Sequence, residues 1–98
     1  MIKVVNCNFE KYDVYIGRPS IWSNPFIIGI DGSRKEVIKK YKIWVKESED
    51  EIPRTIRNNL HILDGKILGC FCKPFECHGD VLIELFYEMK LNNILNWK

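Results

Sequence analysis

Three of the four cysteines and one of the two histidines fall within nine residues, Cys70-Phe71-Cys72-Lys73-Pro74-Phe75-Glu76-Cys77-His78, and Gly79-Asp80 follow directly. Thiols, an imidazole and a carboxylate at this density admit three kinds of chemistry. The first is metal coordination. Cys70, Cys72, Cys77 and His78 make a nominal Cys3His set for zinc, which takes thiolate and imidazole ligands at about 2.0–2.3 Å. Adjacent Cys77 and His78 rarely aim at one ion, and zinc ligands usually come as two separated knuckles. Cys7 or His61 would have to complete a set from elsewhere in the chain. The second is nucleophilic or acid–base catalysis. Cys77 stands where a helix is expected to begin, and the positive end of a helix lowers a thiol's pKa. Cys77 or Cys72 could be a nucleophile; with His78 beside Cys77 and Lys73 close in sequence, Cys77 or His78 is the best candidate for nucleophile or base, with Asp80 as the alternative base. The third is packing, with Cys70 and Cys72 as small buried residues of a strand. Cys72 also stands where a bound ligand would meet it.

The expected helix start has a use of its own. Amides at Gly79 and Asp80 would lack helical partners and could cradle a phosphate or carboxylate. Asp80 itself is better placed as a cap or dipole partner.

A second unusual segment is Tyr15-Ile16-Gly17-Arg18-Pro19-Ser20-Ile21-Trp22-Ser23-Asn24-Pro25-Phe26. Arg18 directly follows a strand-like run, and a guanidinium binds phosphate or carboxylate in a bidentate fork. Asn24 can both donate and accept, and Trp22 or Phe26 offers a ring for a base to stack on. The competing reading is a rigid loop plugged by aromatics. Arg34 is a further anion-binding candidate, since a cation at a helix start opposes the dipole and calls for a compensating anion.

The elements that must position these residues are short. Ile2 to Asn6 and Asp13 to Gly17 read as strands. Periodicity is lost from Arg18 to Arg34, where the Pro25-to-Ile30 segment is expected to be extended. Ser33-Arg34-Lys35-Glu36 matches a capping box, and Val37, Ile38, Tyr41, Trp44 and Val45 form the stripe of the helix behind it. Glu47-Ser48-Glu49-Asp50-Glu51 reads as a solvated loop. Pro53 suits the first turn of a second helix faced by Ile56, Leu60 and Leu63, which Asp64-Gly65 ends. Lys66 to Phe71 is a strand, and Gly79 to Lys90 a helix with Val81, Leu82, Leu85, Phe86 and Met89 on one side. Ile94, Leu95 and Trp97 suggest that the tail packs.

These elements predict an α/β fold: a small single domain, residues 1–98, with a short, mostly parallel sheet flanked by about three helices. In such sheets, ligands collect at loops leaving the strands' carboxyl ends, where both unusual segments lie. At 98 residues there is room for one core, and 46% hydrophobic residues suffice to fill it. The net charge of +2, with no block of like charge, is thin for a sequence-independent nucleic-acid binder, although nucleic acid is not excluded. No signal peptide is visible at Met-Ile-Lys-Val-Val, and no run approaches the roughly 18 apolar residues of a membrane span. A cytoplasmic location, with reduced cysteines and no membrane partner, is therefore expected.

Three segments together, Tyr-Ile-Gly-Arg-Pro-Ser-x-Trp-x-Asn-Pro-Phe, Asp-Gly-Ser-Arg and Gly-Lys-x-Leu-Gly-Cys-x-Cys-x-Pro-x-x-Cys-His-Gly-Asp-x-Leu, resemble a family of small phage and bacterial proteins catalogued as a domain of unknown function. The resemblance runs over roughly residues 13 to 86, with Phe71 where a Trp is common. It implies a real site, carried by Arg18, Asn24, Pro25, Phe26, Arg34, Gly69, Cys70, Cys72, Pro74, Cys77, His78, Gly79 and Asp80, and it supplies no reaction. By fold-level analogy, the family is similar to small α/β domains that handle nucleotides or ADP-ribose.

The expectation is therefore a cleft for a small anionic ligand of the nucleotide or nucleotide-sugar kind. Its ligand-binding residues would be Arg18, Trp22, Asn24, Phe26, Arg34, Cys72 and Gly79. Hydrolysis is the reaction such a cleft would carry if it turns its ligand over, with Cys77, His78 and Asp80 as the reacting groups. The alternatives are a zinc-bearing module contacting nucleic acid or protein, and a non-catalytic phage protein that sequesters a host nucleotide signal.

Overall fold

The structure, a computed structural model, describes residues 1–92. In chain order the elements are β1 (Lys3–Asn6), β2 (Val14–Tyr15), α1 (Arg34–Glu47), α2 (Glu51–Asn59), a single 3-10 turn (Leu60–Leu63), β3 (Ile67–Cys70) and α3 (His78–Asn92). Ile94, Leu95 and Trp97, expected to pack, lie outside the described residues.

The described strands form one parallel sheet in the order β1-β3-β2. Val4 and Val14 both sit opposite Leu68, and Val5 and Tyr15 both sit opposite Gly69. Side chains alternate across a strand. One face therefore carries Val4, Leu68, Ile16 and Cys70, and the other carries Val5, Gly69 and Tyr15. The Tyr12 ring lies over Gly69 so closely that a Cβ there would come within 2.6 Å of it. The α/β architecture expected from the sequence is present as a small sheet and three helices among the described residues.

α1 begins with the expected capping box. The Ser33 hydroxyl accepts from the Glu36 amide at 3.2 Å, and the Glu36 carboxylate accepts from the Ser33 amide at 2.8 Å. Its buried face is Val37, Tyr41 and Val45, with Ile38 and Trp44 packed at the edge of the core. Arg57 closes the other end, donating to the Val45 carbonyl at 2.9 Å and the Ser48 carbonyl at 2.5 Å. α1 lies beside α3, tied by the Lys42–Glu84 and Lys46–Glu88 ion pairs. The second helix ends in a 3-10 turn that buries Leu60 and Leu63.

Two local expectations change. The Pro25-to-Ile30 segment is not an extended strand. Ile27 to Asp31 close into a turn, with Ile27 O accepting from the Ile30 and Asp31 amides at 3.1 and 2.8 Å, and a single bridge joins Ile28 to Gly32. The Asp31 carboxylate accepts from the Ile27 amide at 2.7 Å, a side-chain bond that competes with any sheet ladder. Glu51, read as loop, is instead the first residue of α2, where an acidic side chain favours the dipole.

Because all three strands run the same way, their carboxyl ends share one edge of the sheet. The loop after β2 and the loop after β3 are thereby brought together.

Candidate functional site

Between these loops and the start of α1 lies a cavity of about 430 Å³. That falls within the roughly 300–1,000 Å³ usual for small-molecule sites. Ile27, Ile28, Val37 and Ile38 supply an apolar wall, while Tyr15, Phe26 and Phe71 supply rings. Arg18, Arg34 and Glu76 bring charge, and Cys70, Cys72, Cys77 and His78 line it from the β3 side.

Both arginines also hold loops. Arg18 donates from Nη2 to the Asn24 carbonyl at 3.0 Å and the Phe26 carbonyl at 3.3 Å, while its Nη1 and Nε donate to nothing among the described residues. Arg34 donates to the Glu76 carbonyl at 3.2 Å and stacks 5.3 Å over the Phe75 ring. The first residue of α1 is thus joined to the cysteine loop.

Asn24 is 8% exposed and spends both ends of its amide internally. Its Nδ2 donates to the Val37 carbonyl at 3.1 Å, and its Oδ1 accepts from the Phe26 amide at 2.9 Å. It borders the cavity as a brace between loop and helix. Trp22, expected to stack on a ligand, is turned into the core at 6% exposure, and its carbonyl accepts the Tyr41 hydroxyl at 2.6 Å. Phe26 does line the cavity, meeting Trp44 edge-on at 6.3 Å.

The thiols divide by exposure. Cys70 and Cys77 are each 1% exposed, with sulfurs 3.3 Å apart, whereas Cys72 is half-buried at the cavity. Donation by Cys70, then by Cys77, holds the Cys72 thiol well below the usual range, with the Arg34 guanidinium adding to them and partial burial opposing. Cys77 moves the other way, because its bonds to Cys70 and then Cys72, together with burial, favour the protonated thiol. The Gly79 amide pulls the Cys77 thiol downward, so the helix start acts in the direction the sequence suggests. It is outweighed. The open thiol of the group is Cys72.

His78 is 9% exposed, and its Nε2 donates to the Ile16 carbonyl at 2.7 Å. Burial lowers its pKa, with the bond to Ile16 opposing, and the ring stands edge-on to Tyr41 at 5.2 Å. Only Nδ1 is left for proton chemistry. Asp80 lies outside the cavity lining. Its Oδ2 accepts from the Cys77 amide at 3.1 Å and its Oδ1 pairs with Lys73 at 2.7 Å, closing the cysteine loop. The amide cradle expected at Gly79 and Asp80 is occupied from within, since the Asp80 amide donates to the Cys77 carbonyl at 3.0 Å. Gly79 serves a close approach of α3 to the sheet: a Cβ there would stand 2.8 Å from both Ile16 and Val4. Among the described residues, no group of three or more Cys, His, Asp or Glu is arranged to hold a metal ion. Of the nominal zinc set, His78 has its Nε2 committed to the Ile16 carbonyl.

Sequence reasoning assigned no role to Tyr15 and Phe71, which meet edge-on at 6.0 Å on the cavity's border. Their position at the carboxyl ends of β2 and β3 was the available signal.

Comparison with known proteins places the chain within a wider group. The model of DUF4326, described as a domain of unknown function, matches residues 3–88. The chain belongs to this family. It is 35% identical over 88 residues to the "Uncharacterized 12.4 kDa protein in nrdA-td intergenic region" of Enterobacteria phage T4, covering 87% of this chain and 77% of that one. It is 33% identical over 95 residues to "Uncharacterized protein R718" of Acanthamoeba polyphaga mimivirus, covering 79% of this chain and 68% of the relative. No solved structure matches. No helix among the described residues is long and apolar enough to cross a membrane.

Proposed function

We propose that this DUF4326 domain binds a small anionic molecule with a planar ring, of the nucleotide or nucleotide-sugar class, in the cavity between the two loops. One observation supports this reading above the others. A single cavity of ligand size combines two guanidiniums, Arg18 and Arg34, with the rings of Tyr15, Phe26 and Phe71. Guanidiniums suit phosphate oxygens, and an aromatic border suits the face of a base. The cavity's apolar wall would exclude water from the ring portion of the ligand.

Binding with release of an unaltered ligand is the simplest outcome of such a site, and it matches a protein that sequesters a nucleotide. Turnover would fall to Cys72, the accessible thiol, or to His78 through Nδ1. Incubating the protein with each of a panel of nucleotides, denaturing it and analysing the supernatant separates the two. Intact nucleotide retained by the native protein and released on denaturation supports binding alone. A changed nucleotide supports catalysis. Failure to retain any member of the panel would refute the assignment of ligand class.

A further inference from the structure

We propose that the cysteine loop is a peroxide-reactive thiol site in which Cys72 attacks a hydroperoxide and Cys77 then resolves the product as a disulfide. Reactive cysteines sit partly exposed beside positive charge, and redox-sensing ones stand next to a second thiol. Both conditions meet here. Cys72 borders the cavity together with Arg34, a cation fixed in place by the Glu76 carbonyl and the Phe75 ring. Cys70 and Cys77 also border the cavity, but each is only 1% exposed, and they are in mutual contact at 3.3 Å. A peroxide entering the cavity therefore reaches Cys72 before either partner.

The steps balance without a cofactor. The Cys72 thiolate attacks one peroxide oxygen, an S–O bond forms and the O–O bond breaks. The departing hydroxide takes a proton from solvent, leaving Cys72 as a sulfenic acid. The Cys77 sulfur then attacks the Cys72 sulfur, an S–S bond replaces the S–O bond, and water leaves with the Cys77 proton. Two thiols are oxidised and one peroxide is reduced to water. Cys77 is the better resolving thiol on chain geometry. Cys70 is the last residue of β3 and Cys72 lies just beyond it, so a bond between them would have to close a ring of only three residues. Between Cys72 and Cys77 the chain instead doubles back through a turn closed by the Phe75 amide on the Cys72 carbonyl at 2.8 Å.

The test uses hydrogen peroxide and no nucleotide, so its failure leaves the ligand reading standing. The reduced protein is treated with one equivalent of peroxide at neutral pH, and its free thiols are titrated. It is then digested with chymotrypsin, whose cleavage after Phe71 and Phe75 separates Cys70, Cys72 and Cys77 onto different peptides. Four free thiols should become two, with a Cys72–Cys77 linked peptide that reduction removes. Cys72→Ser should keep all its remaining thiols, and Cys77→Ala should leave a sulfenic acid on Cys72 that a dione probe captures. Four unreacted thiols in the wild-type protein, a Cys70–Cys77 link, or oxidation that persists in Cys72→Ser would each overturn the proposal.

Discussion

Replacing Gly79 by alanine would place a methyl group 2.8 Å from Ile16 Cδ1, 2.8 Å from Val4 Cγ2 and 3.1 Å from Val4 Cγ1. Carbon atoms rest at about 3.5–4.0 Å, so each contact must open by roughly half an ångström or more. The Ile16 contact is with the end of a flexible side chain and can give way. Val4 cannot yield as easily: it is β-branched, with its rotamer restricted at Cβ. It also sits on β1, whose register is fixed against β3. Relief must come from α3 lifting off the sheet, and overpacking of this kind costs about 1–3 kcal/mol. At about 4–8 °C per kcal/mol for a domain of this size, a cost of about 2 kcal/mol lowers Tm by about 8–16 °C. Thermal melts followed by circular dichroism measure it directly. The double variant with Val4→Ala identifies the cause, because the pair should lose at least about 0.5 kcal/mol less than the sum of the single changes. A Gly79→Ala protein that melts like the wild type, or a strictly additive pair, would refute the close approach of α3.

Three further outcomes follow from the same contacts. Asn24→Ala strips a partner from the half-buried Phe26 amide and from the buried Val37 carbonyl and should cost about 1–3 kcal/mol in urea denaturation; Asn24→Asp should also destabilise, since a carboxylate cannot donate to Val37. The folded-state pKa of His78 lies below its ordinary 6.5, so the unfolded chain binds more protons, and stability present at neutral pH falls as pH drops through about 6.5. Urea midpoints from pH 5 to 7 should show that slope, and His78→Gln should flatten it. Alkylation of Cys72 by iodoacetamide should stay nearly level from pH 8 to 6, because thiol donors led by Cys70 and then Cys77 hold its pKa down. Cys70→Ala should return it toward the falling profile of a free thiol, and a wild-type rate that falls about tenfold per pH unit would contradict the assignment.

Local signals carried much of the fold. The capping box at Ser33 and the Val37-Tyr41-Val45 stripe define α1, because both rest on contacts within a few residues. The strand order β1-β3-β2 does not show in the sequence, since β2 is only two residues long and its pairing with β3 depends on residues more than 50 positions away. The same limit applied at the site. The cysteine-rich segment announced itself by composition, but which thiol faces the cavity depends on where β3 stops, at Cys70, and on how the following turn aims Cys72 and Cys77. Asn24 and Trp22 carry groups suited to a ligand. Their use inside the fold follows from Val37 and Tyr41, which no local pattern ties to that loop.

The pairing of two guanidiniums with an aromatic border is the centre of this account, and calorimetric titration tests it most directly. The panel would be nucleoside mono- and diphosphates and nucleoside-diphosphate sugars, each run against its unphosphorylated nucleoside. Saturable one-site binding is predicted for at least one phosphorylated member, with much weaker binding of its nucleoside. Arg34→Gln should weaken that binding by about tenfold or more, the value of one charge-assisted hydrogen bond. Absence of binding across the panel, or equal affinity in the Arg34→Gln protein, would contradict it.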